Sequence, residues 1–485
     1  MAESRGRKAA SSFVFKFVES MGMQLVSFAV SLVLGNLLTP ADYGVLGMLT
    51  VFIAVSQVFV QSGLNTALIQ KKDVDECELS SVFYVSLGVA AALYALLYAL
   101  SPVIAGYYHM PELKNALRVL ALVLFPGAFI SVQSAVVARE MAFRKQMLVS
   151  LAATVLSGTT GIGMALAGFG HWALVGQQLT NQFGLAILLL IVIKWRPVRS
   201  FSLSKVGTLV RFSWKLLVSS LLDTGYMNLR SAVIGKKYTQ DTLGLYTRGK
   251  QFPELVMNAV NGSIQSVMLP VLSEAQDDLG RMKQMMRRSV MLSSFLVLPM
   301  MAGLAAVAEP LITLLLPDAW LPCVPFLQIL AIDFAFYPIH TANLQAINAM
   351  GRSDVFLKLE IIKKSYGIAV LAVTVFCFDS VYAIAWGAVV STFISAFVNA
   401  SPNRKLLGYG YLEQMKDVLP SMALAGVMFL VVNAMNALSW PAAILLVVEI
   451  IVGAAVYAGL ALLLKLESAG FLLDALRSLK DRLHA

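Results

Sequence analysis

Long apolar stretches recur along this chain and are separated by short polar segments. A transmembrane helix needs about 20 mostly apolar residues. Such windows fall at 12–34, 45–66, 79–101, 113–137, 147–169, 172–193, 206–234, 250–272, 286–308, 324–349, 356–377, 380–400, 417–436 and 441–464. Lipid cannot hydrogen-bond a bare backbone, so spanning segments of this kind must be helical. The pattern predicts an all-α integral membrane protein with about 14 transmembrane helices.

Composition excludes most soluble and enzymatic functions. Of the 485 residues, 58% are hydrophobic and only 13% are charged. The polar segments between the windows are too short to form a catalytic domain. A membrane glycosyltransferase or polymerase would need a sizeable polar loop with paired catalytic groups. The sequence therefore predicts a protein that is not an enzyme and that acts within the membrane.

The basic residues give the topology. Seven of the 37 Lys and Arg residues lie at one end of the windows, and they are Lys114, Arg118, Arg230, Lys236, Lys237, Arg248 and Lys250. The remaining 30 lie at the other end, which the positive-inside rule assigns to the cytoplasm. Both termini are therefore predicted to be cytoplasmic. Because the basic residues form no single patch, a nucleic-acid partner is not expected.

A repeat divides the chain into two halves. Residues 35–45 (GNLLTPADYGV) recur as 235–245 (GKKYTQDTLGL), with matched positions 200 residues apart. Both copies follow the first window of a half, so the halves share one orientation. We expect two pseudo-symmetric six-helix lobes, residues 1–200 and 201–402, followed by a helix pair and a cytoplasmic tail in 403–485. Parallel repeats are a standard transporter plan, with the substrate site between the lobes.

Polar residues lie on one face of the first two windows of each half. The candidates are Gln24, Gln57, Gln61, Asn65, Tyr226, Asn258, Asn261 and Gln265. Gln61 matches Asn261, and Asn65 matches Gln265, at the offset of 200. One interpretation is a hydrophilic cavity lined by windows one, two, seven and eight. The alternative is hydrogen bonding between packed helices, which commonly uses such residues. The matched positions favour the cavity.

Five cations occur close together on the side where few are expected. Arg230, Lys236, Lys237, Arg248 and Lys250 fall within a short stretch of sequence. They are candidates for binding an anionic headgroup. Alternatively, long cationic side chains extend to lipid phosphates at the interface. Arg230 lies inside its window and is the leading candidate, whereas the two neighbouring lysines are expected to be solvated.

Four acidic residues are candidates for binding a coupling proton or cation. They are Glu19, Asp223, Glu254 and Asp333. A charge inside a membrane normally faces a cavity or a partner. Each of the four is alternatively a counter-charge for a nearby base, as Glu254 is for Lys250 one helical turn away.

The sequence predicts no cofactor. The stretch from Gly244 to Lys250 has the spacing G-x-x-x-x-G-K, but Gln251 stands where a phosphate-binding loop requires Ser or Thr. ATP is therefore not expected to bind there. No H-E-x-x-H or C-x-x-C spacing occurs, so neither a metal nor a redox cofactor is predicted.

Three short segments carry a family resemblance: residues 37–44 (LLTPADYG), 243–248 (LGLYTR) and 269–273 (LPVLS). Together with the spans and the repeat, they make the chain resemble the Wzx-type polysaccharide transporters of the multidrug/oligosaccharidyl-lipid/polysaccharide (MOP) exporter superfamily. The WzxC-like branch, which serves exopolysaccharide export, is the most similar. Lys250 departs from the pattern, which has a small or uncharged residue there.

The resemblance implies a flippase of the bacterial cytoplasmic (inner) membrane. Its substrate would be an undecaprenyl-pyrophosphate-linked oligosaccharide, moved to the periplasmic leaflet by alternating access during exopolysaccharide or lipopolysaccharide biosynthesis. Arg230 and Arg248, with Lys250 and Lys215, would hold the pyrophosphate, and the polar faces would meet the sugars. Membrane lipids and other polysaccharide assembly proteins are the expected partners.

A cation-coupled antiporter of small molecules, of the multidrug-extrusion (MATE) type, would share this fold. Such a site should be richer in aromatic and acidic residues and should need fewer cations. The basic cluster argues against this alternative.

Overall fold

The computed structural model describes residues 22–61, 64–71, 73–274, 278–438 and 440–471. The predicted all-α class is confirmed, because these residues form helices and no β-strand occurs among them. The α-helices are α1 (Gly22–Leu37), α2 (Pro40–Gln61), α3 (Leu64–Gln70), α4 (Glu76–Tyr108), α5 (Glu112–Leu120), α6 (Leu124–Glu140), α7 (Phe143–Leu166), α8 (His171–Val192), α9 (Leu203–Lys237), α10 (Gln240–Glu274), α11 (Leu279–Ala306), α12 (Ala308–Leu315), α13 (Val324–Ala335), α14 (Tyr337–Ala349), α15 (Ser353–Cys377), α16 (Val381–Leu407), α17 (Tyr411–Met435) and α18 (Ala442–Leu463). Two short 3₁₀ helices, Ala121–Val123 and Asp318–Cys323, interrupt this series.

Ten helical segments of the described chain are long and apolar enough to cross a membrane. Each coincides with one of the fourteen predicted windows. The other four windows fall on α1, α9, α10 and α15. Residues 12–21 of the first window lie outside the described chain and α1 spans only Gly22–Leu37, whereas α9, α10 and α15 are long but more polar. A total of fourteen spans and the cytoplasmic position of both termini therefore stay predictions.

Contacts group the chain into two compact units, Met1–Thr247 and Arg248–Ala485. In the first unit, α7 packs along α8, α2 along α9, and α4 against α5 and α6. Buried Leu68, Val132 and Val137 form part of its apolar core. The lobes predicted from the repeat, 1–200 and 201–402, stay a prediction.

Two glycines of the repeat bring helices into backbone contact inside the first unit. A Cβ atom on Gly44 of α2 would lie 1.8 Å from the carbonyl oxygen of Gln240. A Cβ atom on Gly244 of α10 would lie 1.8 Å from the carbonyl oxygen of Pro40. No side chain fits at either position, so the first turns of α2 and α10 meet through their backbones.

Matched threonines begin these two helices. The backbone N–H of Asp42 donates to Thr39 Oγ1 at 3.3 Å, and the N–H of Thr39 donates to Asp42 Oδ2 at 3.0 Å. This reciprocal pair has the form of a capping box. In the second copy, the N–H of Thr242 donates to Thr239 Oγ1 at 3.3 Å. The two copies of this segment therefore share a helix start and a close glycine contact.

The second unit combines an apolar core with buried polar links. α11 packs along α17 and α13, with Met282, Met286 and Val290 fully buried. Asn343 Nδ2 donates to Gln414 Oε1 at 2.7 Å, and Gln414 Nε2 donates back to Asn343 Oδ1 at 2.9 Å. Such amide pairs join helices where apolar attraction is weak, as in lipid.

Candidate functional site

The first unit contains a polar cavity of about 430 Å³. Its walls come from α1, α2, α7, α8 and the first 3₁₀ helix. The lining residues are Ser27, Val30, Ile53, Gln57, Val123, Thr154, Ser157, Gln177, Gln178, Asn181 and Gln182. This volume is within the range of about 300–1,000 Å³ that small-molecule sites occupy.

Helical spacing builds the polar wall. On α8, Gln177 and Gln178 are followed one turn later by Asn181 and Gln182, so the four amides share one side of the helix. Asn181 Nδ2 donates to Ser157 Oγ of α7 at 3.3 Å. The polar side chains among the described lining residues are amides and hydroxyls, and none of these residues is charged. Such a surface offers both donors and acceptors to an uncharged polar ligand.

The predicted cations of the first unit lie on α9. Arg230 and Tyr226 are half-buried, and the guanidinium carbon of Arg230 lies 5.8 Å from the centre of the Tyr226 ring. Lys215 is exposed, with its Nζ 5.9 Å from the centre of the Trp214 ring. Asp223 is also exposed on this helix. An anion at Arg230 would therefore be bound beside an aromatic ring.

Arg248, at the start of the second unit, is almost completely buried, with 1% of its surface exposed. Its Nη1 donates to Gln251 Oε1 at 2.7 Å. Its guanidinium carbon lies 5.6 Å from the ring centre of Phe252 and 5.5 Å from that of Trp320. In this conformation, Arg248 holds α10 against the second 3₁₀ helix.

The stretch that resembled a phosphate-binding loop is helical throughout. Gly244, Gly249 and Lys250 all lie within α10. A Cβ atom on Gly249 would lie 2.9 Å from the carbonyl oxygen of Cys323, so this glycine allows close packing. Lys250 Nζ lies 3.8 Å from Glu254 Oε2, one turn further along. The predicted counter-charge for Lys250 is therefore present.

The other sugar-facing candidates differ in exposure. Gln57 lines the polar cavity, Gln24 and Asn65 are half-buried, and Gln61 and Asn258 are exposed. Three predicted residues lie outside what the structure describes: Glu19 entirely, and Asn261 and Gln265 by their side chains. The cavity predicted from windows one, two, seven and eight stays a prediction.

Asp333 is the acidic candidate with the most specific environment. It is half-buried on α13, and Thr392 Oγ1 of α16 donates to its Oδ1 at 2.5 Å. This contact lies within the second unit. It links two helices and gives the carboxylate one hydrogen-bond donor.

A family model described as "Polysaccharide biosynthesis protein" matches residues 33–325, more than half of the chain. The chain belongs to this family. The resemblance to Wzx-type polysaccharide transporters of the MOP superfamily is thereby confirmed, and with it the setting of membrane transport in polysaccharide biosynthesis.

Three relatives illustrate this family. The teichuronic acid biosynthesis protein TuaB of Bacillus subtilis (strain 168) is 27% identical over 335 residues, which cover 68% of each chain. The succinoglycan biosynthesis transport protein ExoT of Rhizobium meliloti (strain 1021) is 25% identical, over 64% of this chain and 62% of its own. The lipopolysaccharide biosynthesis protein WzxC of Escherichia coli (strain K12) is 22% identical, over 71% and 70%.

Solved structures share the fold of this polysaccharide biosynthesis family member. The lipid II flippase MurJ in an inward closed conformation superposes with a TM-score of 0.76, covering 92% of this chain and 97% of its own at 14% identity. An inward-facing multidrug resistance MATE family transporter of the MOP superfamily gives 0.61, covering 82% and 96% at 14% identity. At these identities the likeness concerns the fold alone.

Sequence reasoning missed most of the cavity in this family member. Gln177, Gln178, Asn181 and Gln182 lie in an apolar window and have no counterpart in the repeat that drew attention to Gln61 and Asn65. Their own pattern was the available signal, because four amides on one side of a spanning helix rarely face lipid. Thr154 and Ser157 gave a weaker signal, since small hydroxyls are common where helices pack.

Proposed function

We propose that this protein is a flippase that moves undecaprenyl-pyrophosphate-linked oligosaccharide repeat units from the cytoplasmic to the periplasmic leaflet of the bacterial inner membrane. The observation that carries the proposal is the uncharged, amide-lined cavity in a member of a polysaccharide biosynthesis family. The names of TuaB, ExoT and WzxC associate those relatives with the synthesis or transport of cell-surface polysaccharides. The protein is proposed to act as a transporter, not as an enzyme.

The cavity suits sugars because sugar hydroxyls donate and accept hydrogen bonds. Amide side chains do both as well, and Gln57, Gln177, Gln178, Asn181 and Gln182 provide five of them. The absence of charge from this lining favours a neutral oligosaccharide portion over an ionic solute. We therefore assign the sugar portion of the substrate to this cavity.

Cations outside the cavity are proposed to bind the pyrophosphate. Arg230 is the first candidate, and Lys215 on the same helix and Lys250 on α10 are further ones. Arg248 is included as a candidate, but its buried position gives it a packing role as well. A guanidinium presents its N–H donors in a rigid planar fork that can bind two phosphate oxygens at once, whereas a lysine ammonium acts as a compact point charge.

The membrane potential is a sufficient source of energy for this export. Each negative charge that moves outward through an inside-negative membrane gains about 2.3 kcal/mol per 100 mV. A pyrophosphate with two net charges would gain roughly twice that amount. Binding residues would be exposed alternately to the two sides of the membrane, without ATP. Asp333, Glu254, Asp223 and Glu19 are the candidates if a proton or cation is coupled.

Arg230→Ala is expected to reduce translocation by about 10- to 100-fold, the range that follows from losing a hydrogen bond to a charged group. The measurement uses proteoliposomes that contain a fluorescent polyprenyl-pyrophosphate oligosaccharide, with the label in the outer leaflet quenched. Arg230→Lys should retain part of the activity because the charge remains. Arg211→Ala is the matched control, since Arg211 is an exposed arginine on the same helix.

Three outcomes distinguish the alternatives. Loss of activity in Arg230→Ala, with Arg211→Ala unaffected and both proteins folded, supports the assignment of the headgroup. Equal activity in both variants would remove Arg230 from the site but would leave the function intact. A wild-type protein that moves no lipid but exports cationic dyes against a proton gradient would instead be an antiporter.

Asn181→Leu is expected to slow translocation by about 3- to 10-fold, because one net hydrogen bond to a sugar hydroxyl is lost. The same assay with a polyprenyl pyrophosphate that lacks the oligosaccharide should be nearly unaffected. Thr159→Val on neighbouring α7 is the control, since Thr159 is exposed and does not line the cavity. Equal slowing for both lipids would contradict a role for the cavity in sugar binding.

A further inference from the structure

The second unit contains a separate cavity of about 540 Å³ where α11, α17 and α18 meet. Its walls are almost entirely apolar. They include Leu296, Pro299, Met300, Met428, Val432 and Ile450. Two other lining residues carry polar atoms, Tyr457 and Glu449, both on α18. The proposed transport of a lipid-linked sugar gives neither of them a role.

Pro299 explains the place of Tyr457. A proline has no N–H and therefore leaves the carbonyl four residues earlier without its helical donor. That carbonyl belongs to Phe295, and the Tyr457 hydroxyl donates to it at 2.9 Å. The interruption of α11 is thus compensated from α18, and the tyrosine hydroxyl is used internally.

Glu449 has no such use. The residue is 0% exposed, and neither carboxyl oxygen has a hydrogen-bond partner among the described residues. It lies two turns before Tyr457 on the same face of α18, which α17, α11 and α12 cover. A carboxyl group in an apolar setting is strongly unfavourable unless a donor or a counter-charge meets it. Glu449 is therefore a polar acceptor in an apolar cavity, and none of the described residues donates a hydrogen bond to it.

The chemistry of the walls defines what fits. Among the described residues, no Lys, Arg or His lines the cavity, so a phosphate, a sulfate or a zwitterionic lipid headgroup would leave its own negative charge unmatched. The apolar walls require a hydrocarbon body, and Glu449 requires a donor. An amine or ammonium on a hydrophobic skeleton satisfies both conditions.

We propose that this cavity binds a hydrophobic amine, with the nitrogen on the Glu449 carboxyl and the hydrocarbon body against α11 and α17. The amine can enter the cavity from the hydrocarbon of the bilayer, because three apolar residues of the cavity wall are exposed: Leu296 by 43%, Met300 by 45% and Ile450 by 57%. The site is distinct from the polar cavity of the first unit and does not rest on the proposed flippase activity.

The test uses the full-length protein in nanodiscs and an isosteric set of probes: 1-aminoadamantane, 1-adamantanol and adamantane-1-carboxylate. Dicyclohexylcarbodiimide, a lipophilic reagent for carboxyl groups in hydrocarbon, reports on the site through a stable acylurea adduct. Mass spectrometry of the peptide that contains Glu449 gives the rate of modification. We expect modification of wild type, none at this position in Glu449→Gln, and at least fivefold slower loss of the unmodified peptide in the presence of the amine. Loss of the unmodified peptide is the measure because it also counts any amide that forms when the amine attacks the activated carboxyl and releases dicyclohexylurea.

Adamantane-1-carboxylate should give no protection, because it brings a second acid to Glu449. Equal protection by the amine and the carboxylate would overturn the assignment of the head group. Failure of the amine to protect, or failure of the reagent to modify Glu449 at all, would overturn the site.

A second variant keeps the proposal testable if Glu449→Gln does not fold. Ala454→Phe adds volume to the cavity wall and leaves the carboxyl group in place. Binding of 1-aminoadamantane, measured by equilibrium dialysis, should fall at least tenfold in this variant. Ala443→Phe, on the same helix and not among the residues that line the cavity, should bind the amine as wild type does. Unchanged binding in Ala454→Phe would place the amine elsewhere.

Discussion

Gly244→Ala is expected to destabilise the fold by about 3 kcal/mol, the upper end of the usual cost of overpacking. The added methyl group would lie 1.8 Å from the carbonyl oxygen of Pro40 and 3.1 Å from the backbone nitrogen of Gly44. Both neighbours are backbone atoms, so no side chain can move aside. The helix starts of α2 and α10 would have to separate. Thermal denaturation in one detergent, followed by size-exclusion chromatography, measures the effect.

Gly88→Ala is the matched control for this substitution. Gly88 lies inside α4, and nothing comes within 4 Å of the position that its Cβ atom would occupy. Removing a glycine from a helix interior there should stabilise the protein by about 0.5–1 kcal/mol. If Gly244→Ala melts at the same temperature as Gly88→Ala, the first turns of α2 and α10 are not in backbone contact.

The reciprocal glycine allows a sharper version of this test. Gly44→Ala should be about as harmful as Gly244→Ala, since its methyl group would lie 1.8 Å from the carbonyl oxygen of Gln240. Once either substitution has separated the helices, the other has less left to disrupt. The double variant should therefore be less destabilised than the two single effects added together, as expected for residues in contact. If the destabilisation of the double variant equals the sum of the two single effects, the two substitutions act independently and the glycines are not in contact.

The helices were predictable from the sequence because the bilayer allows few alternatives. Within the described residues every predicted window overlaps a helix, but apolar length does not reveal where a helix is interrupted. The window 324–349 is two helices that meet at Phe336, with Pro338 at the start of the second. The window 250–272 belongs to a helix that already begins at Gln240. Gly244 and Gly249 lie inside this helix, where they allow close contact with neighbouring backbone, and neither marks a helix end.

The site was less predictable because a polar residue in a spanning window has two uses. Asn343 and Gln414 hydrogen-bond to each other and join helices, whereas Gln57 and Gln177 line a cavity. The sequence gives no sign of which use applies, since the choice depends on the neighbouring helix. The repeat directed attention to Gln61 and Asn65, whose role stays a prediction, and other matched positions of the repeat mark helix starts and a glycine contact.

Arg287→Ala is expected to destabilise the second unit by about 1.5–3 kcal/mol, the range for hydrogen bonds to charged groups. The Arg287 guanidinium donates to Asp417 of α17 at 2.9–3.0 Å and to Glu467 at 2.9 and 3.1 Å. A fully buried pair would cost more to break, but the Arg287 side chain is 38% exposed and solvent screens part of the attraction. Arg281→Ala, an exposed arginine on the same helix, should change the stability by less than about 0.5 kcal/mol.

Most of the stability lost in Arg287→Ala should be due to Asp417, whose carboxylate remains without its cationic partner. The Asp417 side chain is only 14% exposed, and without Arg287 it retains the Tyr409 hydroxyl, which donates to Oδ2 at 2.8 Å. Asp417→Asn removes the unpaired negative charge and keeps a side-chain oxygen that can accept the hydrogen bond from the Tyr409 hydroxyl. Arg287→Ala combined with Asp417→Asn should therefore be more stable than Arg287→Ala alone, because an unpaired buried charge costs more than a missing pair. If the double variant is instead less stable than Arg287→Ala, then Glu467 and not Asp417 is the partner that makes Arg287 necessary.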